Sequence, residues 1–160
     1  MTEVTIYSSA SCDWQSRNGT FFAALKTGQY AKYMGGHLSN TTADRCIITG
    51  LIEAVHLIRV PCRLTLTTAI SIGLNKQGRP RGRNQELKRL LLDLIDRKHC
   101  THTFDVWQGG GEKLKAAIEQ IKVNAIHVDP IGVVETYLGE GAKSQELFIN
   151  GSLDGRPPSG

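Results

Sequence analysis

The sequence lacks the features of a membrane-spanning or secreted protein. No apolar run approaches the roughly 20 residues that a helix needs to span a bilayer. The first residues, Met1-Thr2-Glu3-Val4, do not have the basic-then-apolar order of a secretory signal. The four cysteines contain no CxxC pair and stand at Cys12, Cys46, Cys62 and Cys100. We therefore expect reduced thiols in a cytoplasmic protein that has no membrane partner.

The composition also excludes a mainly disordered or collagen-like chain. Of the 160 residues, 40% are hydrophobic and 21% are charged, which is ordinary for a soluble globular protein. A chain of this length buries roughly two-thirds of its unfolded surface, so it needs no disulfide or metal ion to fold. We expect a single principal domain.

Positive charge is concentrated in the first part of the chain. Residues 1–100 contain 14 Lys or Arg and 7 Asp or Glu, whereas residues 101–160 contain 5 and 8. The net charge of the first part is therefore +7 and that of the second is −3. A positive surface favours acidic partners, of which nucleic acid is the commonest, although a solvated surface without a partner has the same composition.

Hydrophobic periodicity predicts strands and helices in the order βββ-α-β-α-α-β-α. Alternation of β-branched and aromatic residues predicts five strands, at 4–7, 20–25, 30–38, 63–67 and 102–107. Apolar residues at spacings of three and four predict helices between Thr42 and Pro61, at 69–74, after Asn84, and around 114–121. Either Thr41 or Thr42 is a plausible N-cap of the first helix, and Asn84 of the third. The first three strands are expected to form an antiparallel meander.

The remainder of the chain predicts a small addition and a tail. We place the main domain at residues 3–121 and a C-terminal extension at 122–150, which would supply an added strand or helix. Within the extension, 125–128 is a candidate strand and 131–138 a candidate short helix or strand. Residues 151–160 are rich in Gly, Pro and Ser, so we expect a mobile tail.

Four short motifs, in this order along the chain, are similar to those of the type I ribonuclease H family. Segment 6–11, I-Y-S-S-A-S, resembles the family's I-Y-T-D-G-S, and segment 41–48, T-T-A-D-R-C-I-I, resembles T-T-N-N-R-x-E-L. Segment 66–69, L-T-T-A, resembles x-T-D-S, and 84–87, N-Q-E-L, resembles N-x-x-L. The resemblance implies an α/β ribonuclease H-like fold, which is a mixed five-stranded sheet with helices on both faces.

The resemblance also implies a degraded metal site. The family hydrolyses the RNA strand of an RNA–DNA hybrid with two divalent ions, which four carboxylates hold. At three of these positions this chain has Ser9, Ile47 and Thr68, and Glu112 is the only carboxylate near the fourth. Two hydroxyls and an isoleucine cannot replace anionic oxygen ligands for Mg²⁺. We therefore predict a catalytically inactive domain without a cofactor. It would bind nucleic acid, as an RNA–DNA hybrid or through the backbone of a duplex, or it would bind a nucleic-acid-handling complex.

Two alternatives remain open from the sequence. A divergent RNA–DNA hybrid ribonuclease would use unaligned carboxylates, such as Asp44 or Glu112, and would require Mg²⁺ or Mn²⁺. A protein interaction module would instead bind a protein partner or a second copy of itself, through a sheet edge or through residues 123–150.

A basic stretch is the main candidate for nucleic-acid binding. Between residues 76 and 98 there are eight basic and three acidic residues. The candidate contacts are Lys76, Arg79, Arg81, Arg83, Lys88 and Arg89, and the resemblance adds Thr42 as a phosphate contact. Arginine suits phosphate because its guanidinium group donates two parallel hydrogen bonds. A solvated turn and an exposed helix face would give the same pattern.

Two further groups of residues have weaker functional interpretations. His99, Cys100 and His102 suggest a metal site, but no fourth ligand stands at tetrahedral spacing, so we do not assign one. Trp14 and Trp107 are interpreted as packing or site-rim residues, with base stacking as the alternative.

Overall fold

The structure of the protein is a computed structural model. It describes residues 1–28, 30–68, 83–106, 130–131 and 143–149. The strands are β1 (Thr2–Asp13), β2 (Asn18–Thr27), β3 (Tyr30–Leu38), β4 (Cys62–Thr68), β5 (Thr101–Val106), β6 (Pro130–Ile131) and β7 (Lys143–Ile149). The helices are α1 (Ala43–His56) and α2 (Gln85–Arg97). Neither described helix has the length and apolar character that crossing a membrane requires.

The strands form one sheet in the order β5-β4-β1-β2-β3-β7-β6. Strands β1, β2 and β3 are an antiparallel meander, and β4 pairs in parallel with both β1 and β5. The mixed five-stranded sheet that the sequence predicts is therefore confirmed. Two strands from the 122–150 region widen it, because β7 pairs with β3 and β6 pairs with β7.

Strand β1 differs most from its prediction, since it continues to Asp13 instead of ending at Tyr7. Ser8 to Asp13 are mostly small or polar residues, but they pair residue by residue with β2. Their backbone hydrogen bonds keep the strand extended where the side-chain pattern no longer indicates one. The helices predicted at 69–74 and around 114–121, the strand at 125–128 and the tail at 151–160 lie outside the described residues.

The core lies between α1, α2 and one face of the sheet. Ile48, Leu51 and Ile52 of α1 are fully buried against this face, with Leu87 and Leu91 of α2 beside them. On the opposite face, Phe22, Ala24 and Tyr33 are also buried. Both faces are therefore shielded from water at the centre of the sheet.

A glycine allows α1 to approach the sheet closely. A Cβ added at Gly50 would lie 2.5 Å from Ser8 Oγ and 3.3 Å from Phe21 Cδ2. The Ser8 hydroxyl donates a hydrogen bond of 2.8 Å to the Ile47 carbonyl oxygen, so strand and helix are joined at this crossing. Ser8 is fully buried there.

The first turns of the two helices are joined through Arg45. Thr42 Oγ1 accepts a hydrogen bond from the Arg45 backbone N–H at 3.3 Å, so Thr42 is an N-cap as predicted. Asn84 stands at the N-cap position of α2 as predicted, but its side chain makes no capping hydrogen bond. Its backbone is left-handed (φ 64°), and its Oδ1 accepts from Arg45 Nη1 at 3.0 Å instead of from its own helix. Arg45 Nη1 also lies 2.8 Å from Glu86 Oε1.

Gly50→Ala should destabilise the protein although alanine is the better helix former by about 1 kcal/mol. The added methyl group overlaps Ser8 Oγ, and overpacking of this kind costs roughly 1–3 kcal/mol. Urea denaturation measures the loss. Because Ser8→Ala removes the overlapping oxygen, the double variant should recover part of the stability. A Gly50→Ala protein as stable as the wild type would contradict the close approach.

Glu86→Gln should lower stability by about 0.5 kcal/mol at neutral pH, the size expected for a partly exposed ion pair. The hydrogen bond from Arg45 holds the pKa of Glu86 below its ordinary value of 4.5. A lowered folded-state pKa stabilises the protein above the unfolded-state pKa, and this contribution disappears as the pH falls through the folded-state value. The stabilities of wild type and variant should therefore converge in acid.

The exposed pair of Glu3 and Arg63 provides the matched control, because both side chains are more than 60% exposed. Glu3→Gln should change the urea midpoint by less than Glu86→Gln at neutral pH. Equal effects of the two variants would show that the Arg45 contact contributes nothing specific.

Candidate nucleic-acid interface

The residues singled out in the sequence gather at one end of the domain. Strands β1 and β4 run parallel, and α1 and α2 each return in the opposite direction, so the carboxyl ends of these strands and the helix N-termini share one end. The hydrogen bonds from Ser8 to Ile47 and from Arg45 to Asn84 join them there. In α/β folds this end of a sheet is the usual place for a ligand.

The three positions that the sequence resemblance aligns with the family's carboxylates lie at this end. Thr68 is the last residue of β4 and pairs with Ser8, so Ser9 is the first residue of β1 beyond that ladder. Ile47 is 3% exposed and belongs to the hydrophobic core. These positions therefore hold two hydroxyl groups and a buried isoleucine side chain, and their correspondence to the family's metal site stays a prediction from the sequence.

Nearby carboxylates do not rebuild the site within the described residues. The Asp13 carboxylate accepts hydrogen bonds from the Gln15 N–H at 3.0 Å and the Ser16 hydroxyl at 3.1 Å, so it stabilises its own turn. Asp44 lies in the first turn of α1 and Glu53 is fully buried in the same helix. In the described part of the chain, no three His, Cys, Asp or Glu side chains form a group that could hold a metal ion. These residues do not fit a two-metal centre.

The basic candidates divide into exposed and buried residues. Arg83 and Arg89 are exposed at the start of α2 and are available to a phosphate. Lys88 is only 3% exposed, which contradicts its predicted role as a surface contact. It follows Leu87 on the side of α2 that meets α1, where burial lowers the pKa of Lys88 and the charges of Asp44 and Glu86 partly offset that effect. Lys76, Arg79 and Arg81 lie outside the described residues.

Thr42 is exposed at the same end, and its side chain caps α1. The hydroxyl oxygen accepts from the Arg45 N–H, which leaves the hydroxyl proton to donate to a ligand. The predicted phosphate contact is compatible with this arrangement.

The other two candidate groups have clear structural surroundings. His102 packs edge-on against Phe104 with ring centroids 5.1 Å apart, and burial lowers the pKa of His102. Cys100 Sγ accepts a hydrogen bond from the Cys62 N–H at 3.3 Å, and all four cysteines are free thiols. Trp14 is 82% exposed, so it is not a packing residue, whereas the site-rim interpretation stays open. Trp107 lies outside the described residues. The polar residues on both sides of Trp14 and the turn-forming Asn18-Gly19 pair are the sequence signal for this exposure.

Comparison with curated proteins finds bacterial ribonucleases H. The chain is 38% identical over 68 residues to ribonuclease H of Cupriavidus necator and 36% identical over 66 residues to that of Moorella thermoacetica. These matches cover 42% and 41% of this chain. The matched part spans about half the length of each relative, 47% and 43%. No family model matches the chain.

Solved structures agree on the fold. One is LC9-RNase H1, a type 1 RNase H with the type 2 active-site motif, with a TM-score of 0.59 and 14% identity over 75% of this chain and 70% of that one. Another is the N-terminal RNase H domain of rv2228c from Mycobacterium tuberculosis, with a TM-score of 0.50 and 10% identity over 67% and 88% of the two chains. Together with the sheet order, these structures show that the chain has the ribonuclease H-like fold, and its sequence is similar to bacterial ribonucleases H over about half of their length.

Proposed function

We propose that this protein is a catalytically inactive ribonuclease H-like domain that binds nucleic acid, either an RNA–DNA hybrid or the backbone of a duplex. The proposed loss of catalysis rests on the burial of Ile47. The resemblance aligns this residue with a carboxylate of the family, and it is 3% exposed within the core. Its branched side chain offers no oxygen ligand, and it occupies apolar surroundings that would penalise a charge. Ser9 and Thr68 supply only neutral oxygens.

Neutral hydroxyls are weak substitutes for carboxylates in this chemistry. Two divalent ions brought close together repel each other, and anionic ligands are needed to offset that repulsion. Metal-assisted hydrolysis requires both ions to activate water and to stabilise the leaving oxygen. The three uncharged positions support a domain that keeps the fold and has lost the reaction.

The purified protein should not cleave a labelled RNA–DNA hybrid above a protein-free control, with either Mg²⁺ or Mn²⁺ present. Calorimetric titration with Mn²⁺ should show no saturable binding. Cleavage that is abolished by Asp44→Asn or Glu112→Gln would establish the divergent ribonuclease instead. Asp93→Asn, in α2 at an exposed position, is the matched control for loss of a carboxylate.

The proposed binding rests on two exposed arginines and one exposed hydroxyl group at the end of the sheet where α1 and α2 begin. Arg83 and Arg89 are exposed at the start of α2, and Thr42 is exposed at the start of α1. The hydrogen bond between Arg45 and Asn84 keeps the two helix starts together, so these groups act on the same ligand. Phosphate contacts of this kind bind the backbone without reading sequence and weaken as salt rises.

Arg83→Ala combined with Arg89→Ala should weaken binding to a hybrid and reduce its salt dependence. Each lost phosphate contact lowers the slope of log affinity against log salt by about 1, so the pair should lower it by about 2. Fluorescence anisotropy at several salt concentrations measures both quantities. Arg79→Ala with Arg81→Ala tests the part of the basic stretch that only the sequence identifies.

Arg59→Ala combined with Arg97→Ala is the control with the same loss of charge. Arg59 follows α1 and Arg97 ends α2, so both lie at the opposite end of the domain, and both are exposed. Equal losses in the two double variants would mean that net charge alone attracts nucleic acid and that the helix starts are not the binding surface.

A further inference from the structure

Trp14 stands at the tip of the β1–β2 hairpin with 82% of its surface exposed. The transfer of an indole from water into apolar contact is favourable. A tryptophan exposed to this degree therefore gives up a large favourable contribution to folding stability. The other exposed large apolar residues in the described part of the chain are Met1 and Val60, and neither has an aromatic face.

The tip holds the tryptophan on a fixed turn. The Asp13 carboxylate accepts hydrogen bonds from Gln15 N–H and Ser16 Oγ, and the Asp13 carbonyl accepts from the Arg17 N–H at 2.7 Å. Arg17 has φ 60°, which closes the turn back into β2. A pre-formed contact loses less entropy on binding than a flexible loop does.

The same turn is joined to the candidate interface. The Thr41 N–H donates to the Arg17 carbonyl at 2.8 Å, and Cys12 Sγ lies 3.7 Å from the Thr41 carbonyl oxygen. Gly19 is pressed so closely against Cys46 and Thr41 that an added Cβ would lie 2.6 and 2.8 Å from their side-chain atoms. Trp14 is therefore fixed beside the start of α1, at the end of the sheet where Thr42 lies.

We propose that Trp14 is a stacking platform for one unpaired base of the bound nucleic acid, with the exposed Arg17 contacting a neighbouring phosphate. This inference rests on the nucleic-acid binding proposed above. A base inside a duplex is paired and stacked on both sides, so the platform favours the unpaired bases of hybrids that carry a single-stranded overhang or a junction. Aromatic stacking of this kind accepts any base, because every base has a π-face.

The surroundings of Trp14 favour a base over a protein partner. Residues 13–18 are all exposed, and Trp14 is the only apolar side chain among them. A protein contact centred on tryptophan is normally enclosed by further apolar residues that exclude water. A single planar surface among hydrogen-bonding groups instead matches one planar base with polar edges. The negative charge of Asp13 does not repel a phosphate here, because the positive charge of Arg17 offsets it. The Asp13 carboxylate is also hydrogen-bonded within the turn.

The test compares a blunt RNA–DNA hybrid with the same hybrid carrying a single-stranded overhang, by fluorescence anisotropy at several salt concentrations. Wild-type protein should prefer the overhang, and Trp14→Ala should lose about tenfold in affinity for it, as expected for one stacked base. Trp14→Phe should retain most of the preference because it keeps an aromatic face. The salt slope of Trp14→Ala should be unchanged, since stacking releases no counterions.

Val60→Ala is the matched control, because Val60 is 58% exposed and precedes β4 at the opposite end of the sheet. If wild-type protein binds the blunt hybrid but Trp14→Ala binds both hybrids as the wild type does, the stacking platform is overturned while the proposed function stands. If wild-type protein binds neither hybrid, the proposed function itself fails. Loss of self-association in Trp14→Ala, with nucleic-acid affinity intact, would identify the tip as a protein contact and overturn the inference.

Discussion

The crossing of α1 over β1 is the contact on which the candidate interface depends. The absence of a side chain at Gly50 lets the helix approach until the Ser8 hydroxyl reaches the Ile47 carbonyl at 2.8 Å. That contact fixes the position of the first turn of α1 relative to the end of β4. Arg45 on the same turn then holds the start of α2 through Asn84 and Glu86. One closely packed crossing therefore determines the relative positions of the groups exposed at the end of the sheet.

The architecture was predictable because burial of one face imposes a regular spacing of apolar residues along each strand and helix. Tyr30–Leu38 forms β3 with the bounds that its alternation predicts, and the apolar face of α2 is the one that the leucine spacing indicates. Strand β1 was predicted too short because Ser8 to Asp13 have no hydrophobic alternation. Their extended form follows from pairing with β2 across the hairpin, which the side-chain pattern of this segment does not indicate.

The errors at the candidate site share a physical cause. Asn84 is of a residue type that commonly caps helices with its side chain. Its side chain instead accepts a hydrogen bond from the guanidinium group of Arg45, which belongs to another helix. Lys88 belongs to a basic stretch in the sequence, yet it is 3% exposed because the start of α2 lies against the start of α1. Each outcome depends on contacts between elements, which residue type and periodicity do not record.

The replacement of charge by apolar packing links the proposed loss of catalysis to stability. Carboxylates gathered for metal ions repel one another when no ion is bound, and a protein carries that cost as part of its function. With Ile47 in the core and hydroxyls at Ser9 and Thr68, this chain avoids the cost. The fixed turn at Trp14 and the exposed arginines at the start of α2 lie outside the core, so they can change independently of it. Selection for binding without turnover would preserve these outer groups, because affinity for a backbone or a base needs no metal.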